Sequence, residues 1–513
     1  MEYQQRRETV TVNEIIYDGC QEQPVDLELT LPDYCPDIQK ILKCQVCPAV
    51  SSTNVLGDSL DVNGSVAVRV LYLDAAGEKI RCHENTSQFS ANIPVKSTSG
   101  IGIASVRTNV EYVNCRATSP RRLSIHGAFS VCACVWEQRD TEILCGVEDD
   151  DVEQLPQEME LSMACGLTQQ NFTVEEVLEL GDGKPNAEML LRTDTTVVAE
   201  EIKLMDSQIL AKGYVLLKLL YLTDIPDALP ETMEYQLPFN QMLERGAVSD
   251  RGESSVSLQV MASSVQMKSD SSGENSLFEA EVKLSATVQS YESRTVSLLA
   301  DAYSRSVEVT LEHQQKTFLQ FAGTVSDIAS QKNTFDFPEG GISKVIDVWN
   351  ESHNVMPSME DGNLLYKGKF NVCMLALNSE GKPFYFERML ELNYGREYGG
   401  NDGPYNCRGM AEVTDISYRI TGNDSIEIKT ELRLETTVFR ERQYRFLSEV
   451  IPNSDMVKQK DSDASLVLYY TTGGESLWNI AKQYSTGVRE IQEENELETD
   501  VIDTPGMLLI PVC

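Results

Sequence analysis

Apolar and polar residues alternate along most of this chain, a period of two that predicts strands with one buried face. Three segments repeat one pattern: residues 62–79 (VNGSVAVRVLYLDAAGEK), 210–227 (LAKGYVLLKLLYLTDIPD) and 366–383 (YKGKFNVCMLALNSEGKP). In each, a glycine (Gly64, Gly213, Gly368) precedes an alternating and then continuous apolar run that ends in a polar turn. The glycines lie 149 and then 155 residues apart (213 − 64 and 368 − 213), a domain length, so the units are tandem domains and not solenoid repeats. Upstream of each glycine, an alternating stretch passes through a Pro/Gly/Asp break into a segment with apolar residues at helical spacing. Ile38, Ile41 and Leu42 show this spacing in the first copy and Ile342, Val345 and Ile346 in the third, predicting one short helix per unit. Downstream, residues 106–136, 256–288 and 411–438 predict polar-tipped hairpins, with Gly422-Asn423-Asp424 as the turn of the third. The predicted class is multidomain and mainly β, each unit a sandwich or a curled antiparallel sheet with one helix. The boundaries fall at 1–148, 149–303 (the divergent copy) and 304–452, followed by a polar linker at 453–464 and a last module at 465–513.

Composition narrows the partners. Eighty acidic against 43 basic residues in 513 give a formal charge of −37, which repels phosphate backbones and anionic bilayers. This excludes nucleic acid and favours a protein with a basic patch. The first residues, MEYQQRRETVTVNEII, lack the apolar core of a signal peptide, and no window offers the ~20 apolar residues of a membrane helix, so no membrane insertion and a cytoplasmic location are expected.

The final module carries the most specific signal. The stretches YTTGGESLWNIAKQY (470–484), VREIQEENEL (488–497) and PGMLLIP (505–511) resemble a LysM domain, which implies a β-α-α-β fold. Ser476 or Glu475 is placed to cap the first helix, whose apolar face is Leu477, Ile480, Ala481 and Tyr484, with Trp478 beside it as core. LysM domains bind N-acetylglucosamine polymers between two loops. Those loops fall here at Thr472, Gly473, Gly474, Glu475 and Ser476, and at Val501, Ile502, Asp503, Thr504 and Gly506. Eight acids against two bases (Lys482, Arg489) make the module strongly negative, unfavourable for anionic wall polymers, so the groove is expected to hold protein instead of glycan.

Catalytic signals are sparse, and the chain is read as a non-enzyme without cofactor or metal. The four histidines (His83, His126, His313, His353) lie in no sequence pattern of a Ser-His-Asp triad, and no phosphate-binding loop, dinucleotide fingerprint or HExxH motif is present. Ten of the 13 cysteines lie in the first 165 residues. They read as reduced thiols packed as small apolar residues, with a zinc knuckle or redox pair at Cys35, Cys44 and Cys47 as the alternative.

Three β-rich units that begin with patterns such as LPDYCPDIQKIL (31–42), followed by one terminal LysM, resemble the SPOCS-domain/LysM spore-coat morphogenetic proteins of endospore-forming bacteria. The resemblance implies a non-enzymatic scaffold in the mother-cell cytoplasm, localised to the forespore surface. Its LysM domain would bind SpoIVA, the ATPase of the coat basement layer, and the remaining units other spore coat proteins.

Overall fold

The computed structural model describes residues 3–511 except 76, 78, 98, 100, 101, 182, 227, 247, 250, 251, 338, 339, 400–402, 423 and 459–464. Asn423 of the predicted hairpin turn and residues 459–464 of the predicted linker therefore lie outside the described residues.

Unit 1 contains β1 (Gln5–Thr30), β2 (Ile38–Leu56), β3 (Ser59–Asp74), β4 (Ile80–Pro94), β5 (Ile103–Ser119) and β6 (Arg122–Val147). They form two antiparallel three-stranded sheets, an outer one ordered β1-β6-β5 and an inner one ordered β2-β3-β4. The same plan recurs twice. Unit 2 has β7 (Val152–Glu179), β8 (Ala187–Leu204), β9 (Gln208–Thr223), β10 (Glu231–Glu244), β11 (Glu253–Lys268) and β12 (Leu277–Ser304), ordered β7-β12-β11 and β8-β9-β10. Unit 3 has β13 (Val307–Asp336), β14 (Lys344–Trp349), β15 (His353–Glu360), β16 (Asn363–Leu377), β17 (Pro383–Glu397), β18 (Tyr405–Ile420) and β19 (Ser425–Val457). Its outer sheet is β13-β19-β18, and its inner sheet has β16 paired with β14, β15 and β17. The strand β19 continues five residues into the segment read as a linker, where Asn453 and Val457 pair with Glu308 and Val307.

The predicted helix of each unit is absent, and a strand takes its place. Ile38, Ile41 and Leu42 belong to β2, and Val345 and Ile346 to β14. Register shifts between Ile38 and Lys40 and between Ile41 and Lys43 insert extra residues, so inward side chains recur at three- and four-residue spacing although the backbone is extended. Shifts at Ala187/Met189, Leu190/Arg192 and Val345/Asp347 repeat the device in the other units. An amphipathic-helix pattern thus arises from a bulged strand.

The repeated glycines sit in the central inner strands β3, β9 and β16. A Cβ there would run into the backbone carbonyls of Ala49, Val198 and Asn354 on the neighbouring strand. Only glycine allows that approach.

The first and last strands of each unit are long, 26 and 26 residues in unit 1, because each serves two cores. One half closes its own sandwich, as Val25 of β1 and Ile125 of β6 do in unit 1. A bulge between Ile15 and Tyr17 bends β1, and the other half carries Val10 and Ile143 into a cluster shared with Leu161 and Leu298 of unit 2 and Phe318 and Phe446 of unit 3. The inner sheets also converge, with Leu42, Leu71, Leu191, Leu220, Ile346 and Leu375 in one buried cluster. At its centre lie three charged residues in the same register position: Lys43 opposite Leu71, Arg192 opposite Leu220 and Asp347 opposite Leu375. Arg192 pairs with Asp347 across the unit boundary and stacks on Trp349 at 4.2 Å, while Lys43 reaches Glu351 and Glu387 of unit 3 at 3.0 and 2.8 Å. The three units are joined by shared core as well as by chain.

Cys20 and Cys132 face each other across β1 and β6 and form a disulfide, their Cα atoms 3.9 Å apart. The reading of the ten cysteines in the first 165 residues as reduced thiols is corrected for this pair: 112 residues separate them in the chain, and only the strand register brings them together. Cys44 and Cys47, three residues apart on a strand, point to opposite faces and cannot share a ligand, and the described residues hold no cluster of metal-ligating side chains. No helix of the described residues is long and apolar enough to cross a membrane.

Candidate partner-binding site

The last module contains β20 (Leu466–Thr471), β21 (Glu475–Ser476), α1 (Leu477–Tyr484), α2 (Val488–Asn495), β22 (Val501–Ile502) and β23 (Gly506–Pro511). The strands β20 and β23 pair antiparallel, and their inward residues Val467, Tyr469, Leu508 and Ile510 pack against Leu477, Ile480 and Ala481 of α1 and Ile491 of α2. Tyr484, at the end of α1, is half-buried and meets the Tyr469 ring edge-on at 5.9 Å.

The two candidate loops meet. Glu475 pairs with Ile502 and Ser476 with Val501, and the Gly474 N–H donates to the Ile502 carbonyl at 2.6 Å. Gly473 and Gly474 both have positive φ, 86° and 77°, which lets the chain turn from β20 into α1. Gly506 donates its N–H to the Thr471 hydroxyl at 2.9 Å and closes the other side. Thr472, Gly474, Val501, Asp503, Thr504 and Gly506 remain exposed, whereas Gly473, Glu475, Ser476 and Ile502 are half-buried.

The expected side-chain cap of α1 is not made. Ser476 occupies the N-cap position without a side-chain hydrogen bond, and Glu475 turns back to accept from the Thr472 N–H and hydroxyl at 3.3 and 3.2 Å. The Leu477 N–H is satisfied instead by the Asp500 carbonyl at 2.9 Å, because the β21–β22 pairing brings that carbonyl over the helix start.

Two surfaces went unseen in the sequence. One is the face of the β20–β23 sheet turned away from the helices, where Leu466 pairs with Pro511, Leu468 with Leu509 and Tyr470 with Met507. Tyr470 is 71% exposed, and Leu468 and Met507 are each 56% exposed. Alternation along β20 was the available signal, since apolar residues fall on both faces of that strand. The other surface docks the module on unit 2. Trp478 meets the Tyr303 ring edge-on at 4.9 Å and donates its indole N–H to Asp301 at 2.8 Å. Lys482 holds the same carboxylate at 2.7 Å, Tyr303 donates to the Thr486 carbonyl at 2.6 Å, and Arg305 pairs with Glu490 at 2.9 Å. The burial of Trp478 thus comes from both modules.

The docking point is where the chain passes between units. The Ser306 hydroxyl and N–H donate to Asp151 at 2.6 and 3.1 Å, and Lys458 reaches the Ser304 carbonyl at 2.8 Å. Burial raises the Asp151 carboxyl, but hydrogen bonds from Ser304 and Ser306 outweigh it and hold the group below its usual range. Asp151, in the acidic stretch 148–153, thus ties the start of unit 2 to the passage between units 2 and 3.

The structure also assembles a constellation that the sequence hid. Asp26 lies 2.8 Å from His126 Nδ1, and Ser124 lies 3.1 Å from Nε2, because β1 and β6 pair Asp26 with His126 and Glu28 with Ser124. The arrangement lacks what acyl transfer needs. The Ser124 hydroxyl donates to Glu28 at 2.6 Å, all three side chains lie on an open strand surface, and the neighbouring backbone N–H groups are committed to the ladder.

A scan of protein-family models matches the SipL SPOCS domain at residues 37–118 and again at 186–268, and the LysM domain at residues 470–511. The chain thus carries two segments similar to the SipL SPOCS domain and one LysM domain, both of non-catalytic families. No curated protein and no solved structure matched it. The first SPOCS match spans β2 to β5 and the second β8 to β11, equivalent segments of units 1 and 2.

Proposed function

We propose that the chain is a non-enzymatic scaffold of spore-coat assembly, acting from the mother-cell cytoplasm at the forespore surface and binding a SpoIVA-type coat ATPase through its LysM domain. The reading rests on one observation: SPOCS and LysM domains share a chain whose LysM is held by one face on unit 2 while its loops and outer sheet face stay open. Unit 3 is included as a third SPOCS domain on the strength of its strand order and its glycine at position 368. The module offers an exposed apolar sheet face (Leu468, Tyr470, Met507) and loops that carry the half-buried Glu475 and the exposed Asp503, a combination suited to a protein partner with both apolar and basic residues. Eight acids against two bases oppose an anionic wall polymer.

Co-purification of the full chain with SpoIVA, beside binding to purified peptidoglycan, tests the proposal. Capture of the ATPase without glycan retention, lost when residues 465–511 are removed, is the expected result. Retention on peptidoglycan with no capture of the ATPase would overturn it in favour of a glycan adaptor.

A further inference from the structure

The Cys20–Cys132 disulfide lies on the face of the outer sheet of unit 1 turned away from the core. Val131, Ala133 and Val135 of β6 point into the core, so Cys132 between them faces outward, and Cys20 opposes it from β1. The two residues are unequally open. Cys20 sits on the edge strand and is exposed, whereas Cys132 sits on the central strand and is half-buried. Arg107 of β5 flanks Cys132 on its other side, and Arg408 of unit 3 reaches Asp18 at 3.1 Å and the Cys134 sulfur at 3.3 Å, covering the neighbouring position of the same face. The ladder around the bond is continuous. From Tyr17 to Thr30, β1 pairs with β6 without a register shift, so the strands stay together whether or not the sulfurs are joined.

We propose that the Cys20–Cys132 disulfide is a thiol-exchange site, which takes an external cysteine thiol onto Cys20 and keeps Cys132 as the thiol that later expels it. Disulfides open to solvent are the ones that external thiols reach and exchange with. The incoming thiol gives its proton to solvent, and its thiolate attacks the exposed sulfur, that of Cys20. A bond from Cys20 to the external sulfur forms, the Cys20–Cys132 bond breaks, and Cys132 leaves as a thiolate flanked by the cationic Arg107 before taking up a proton. One disulfide and one thiol become one disulfide and one thiol, so no outside oxidant or reductant is consumed. In the reverse step Cys132 attacks Cys20, restores the bond and releases the external thiol, and the unbroken ladder holds it in place to do so. Unit 1 thus carries a reversible covalent attachment point for a cysteine of a partner.

The test uses the full chain, brought to the disulfide form with oxidised glutathione and desalted, then exposed briefly to reduced glutathione, blocked with N-ethylmaleimide and mapped by peptide mass without reduction. The expected first product carries glutathione on Cys20 and N-ethylmaleimide on Cys132. When the block is omitted and the sample desalted, the Cys20–Cys132 peptide should return with release of glutathione. In the Cys132→Ser variant, glutathione loaded onto Cys20 from oxidised glutathione should stay there over the same interval. Absence of the Cys20–Cys132 peptide from the oxidised chain, exchange only after denaturant has unfolded unit 1, or glutathione found first on Cys132 would overturn the proposal. The wild-type map decides the question even if the serine variant fails to fold.

Discussion

Replacing Asp347 with alanine tests whether the three units behave as one body. Asp347 and Arg192 are 3% and 1% exposed, and each belongs to a different unit. Asp347 also accepts from Lys218 at 2.7 Å and from the Val348 N–H at 2.8 Å, so both of its oxygens are used. Truncation leaves the Arg192 guanidinium buried against Trp349 with only Asp194, itself 35% exposed, at one end. Breaking a buried pair from one side costs about 3–5 kcal/mol, and the surviving Asp194 contact points to the lower end of that range. Removing the whole pair with apolar residues of similar volume, Arg192→Met with Asp347→Leu, leaves as unpaired charges only Lys218 and Asp194, whose side chains are 26% and 35% exposed, and should cost about 1 kcal/mol or less. Urea unfolding of Arg192→Met, of Asp347→Leu and of the double variant, followed by tryptophan fluorescence and far-ultraviolet circular dichroism, gives the coupling directly. The expected coupling is favourable by about 2 kcal/mol or more, with the transitions of the three units shifting together. A loss under about 1 kcal/mol for Asp347→Ala, or a double variant as damaged as the sum of the singles, would refute the reasoning.

Other outcomes follow from the same structure. Asp301→Ala removes the partner of both Trp478 and Lys482 without touching the LysM fold, so amide exchange across residues 477–484 should accelerate about tenfold while module helicity is unchanged. Glu475→Lys and Asp503→Lys should each weaken capture of SpoIVA about tenfold in a pull-down titration and leave the circular dichroism spectrum unaltered. Glu412 is pushed up from 4.5 to about 7 by burial and then by Glu435. Its stabilising contribution is therefore complete below pH 4.5 and is lost as pH rises through 7, so Glu412→Gln should reduce the fall in melting temperature between pH 5 and pH 8.

The legible parts of the fold were those with local causes. Period-two alternation marked the strands, and a polar tip marked the hairpin within residues 106–136. The glycines at 64, 213 and 368 marked one repeated strand in each unit, and the structure shows why glycine is needed there: the neighbouring strand's carbonyl leaves no room for a Cβ. The segments at 38–42 and 342–346 misled because a bulged strand and an amphipathic helix share the same apolar spacing, and only pairing with β3 and β16 separates them. In the LysM module the residues of both loops were legible from motif spacing. The outer apolar face needed the β20–β23 register, and the role of Trp478 against Asp301 and Tyr303 depends on residues about 180 positions away.

By itself, then, the sequence determined a mainly antiparallel β chain, its acidic character and its terminal LysM module, because backbone period, turn chemistry and charge are properties of neighbouring residues. The tertiary structure decided which charges are buried, which cysteines meet and which face of the LysM is left open. Those depend on strand register and unit-to-unit packing, and a one-residue slip in register turns every side chain of a strand to its opposite face.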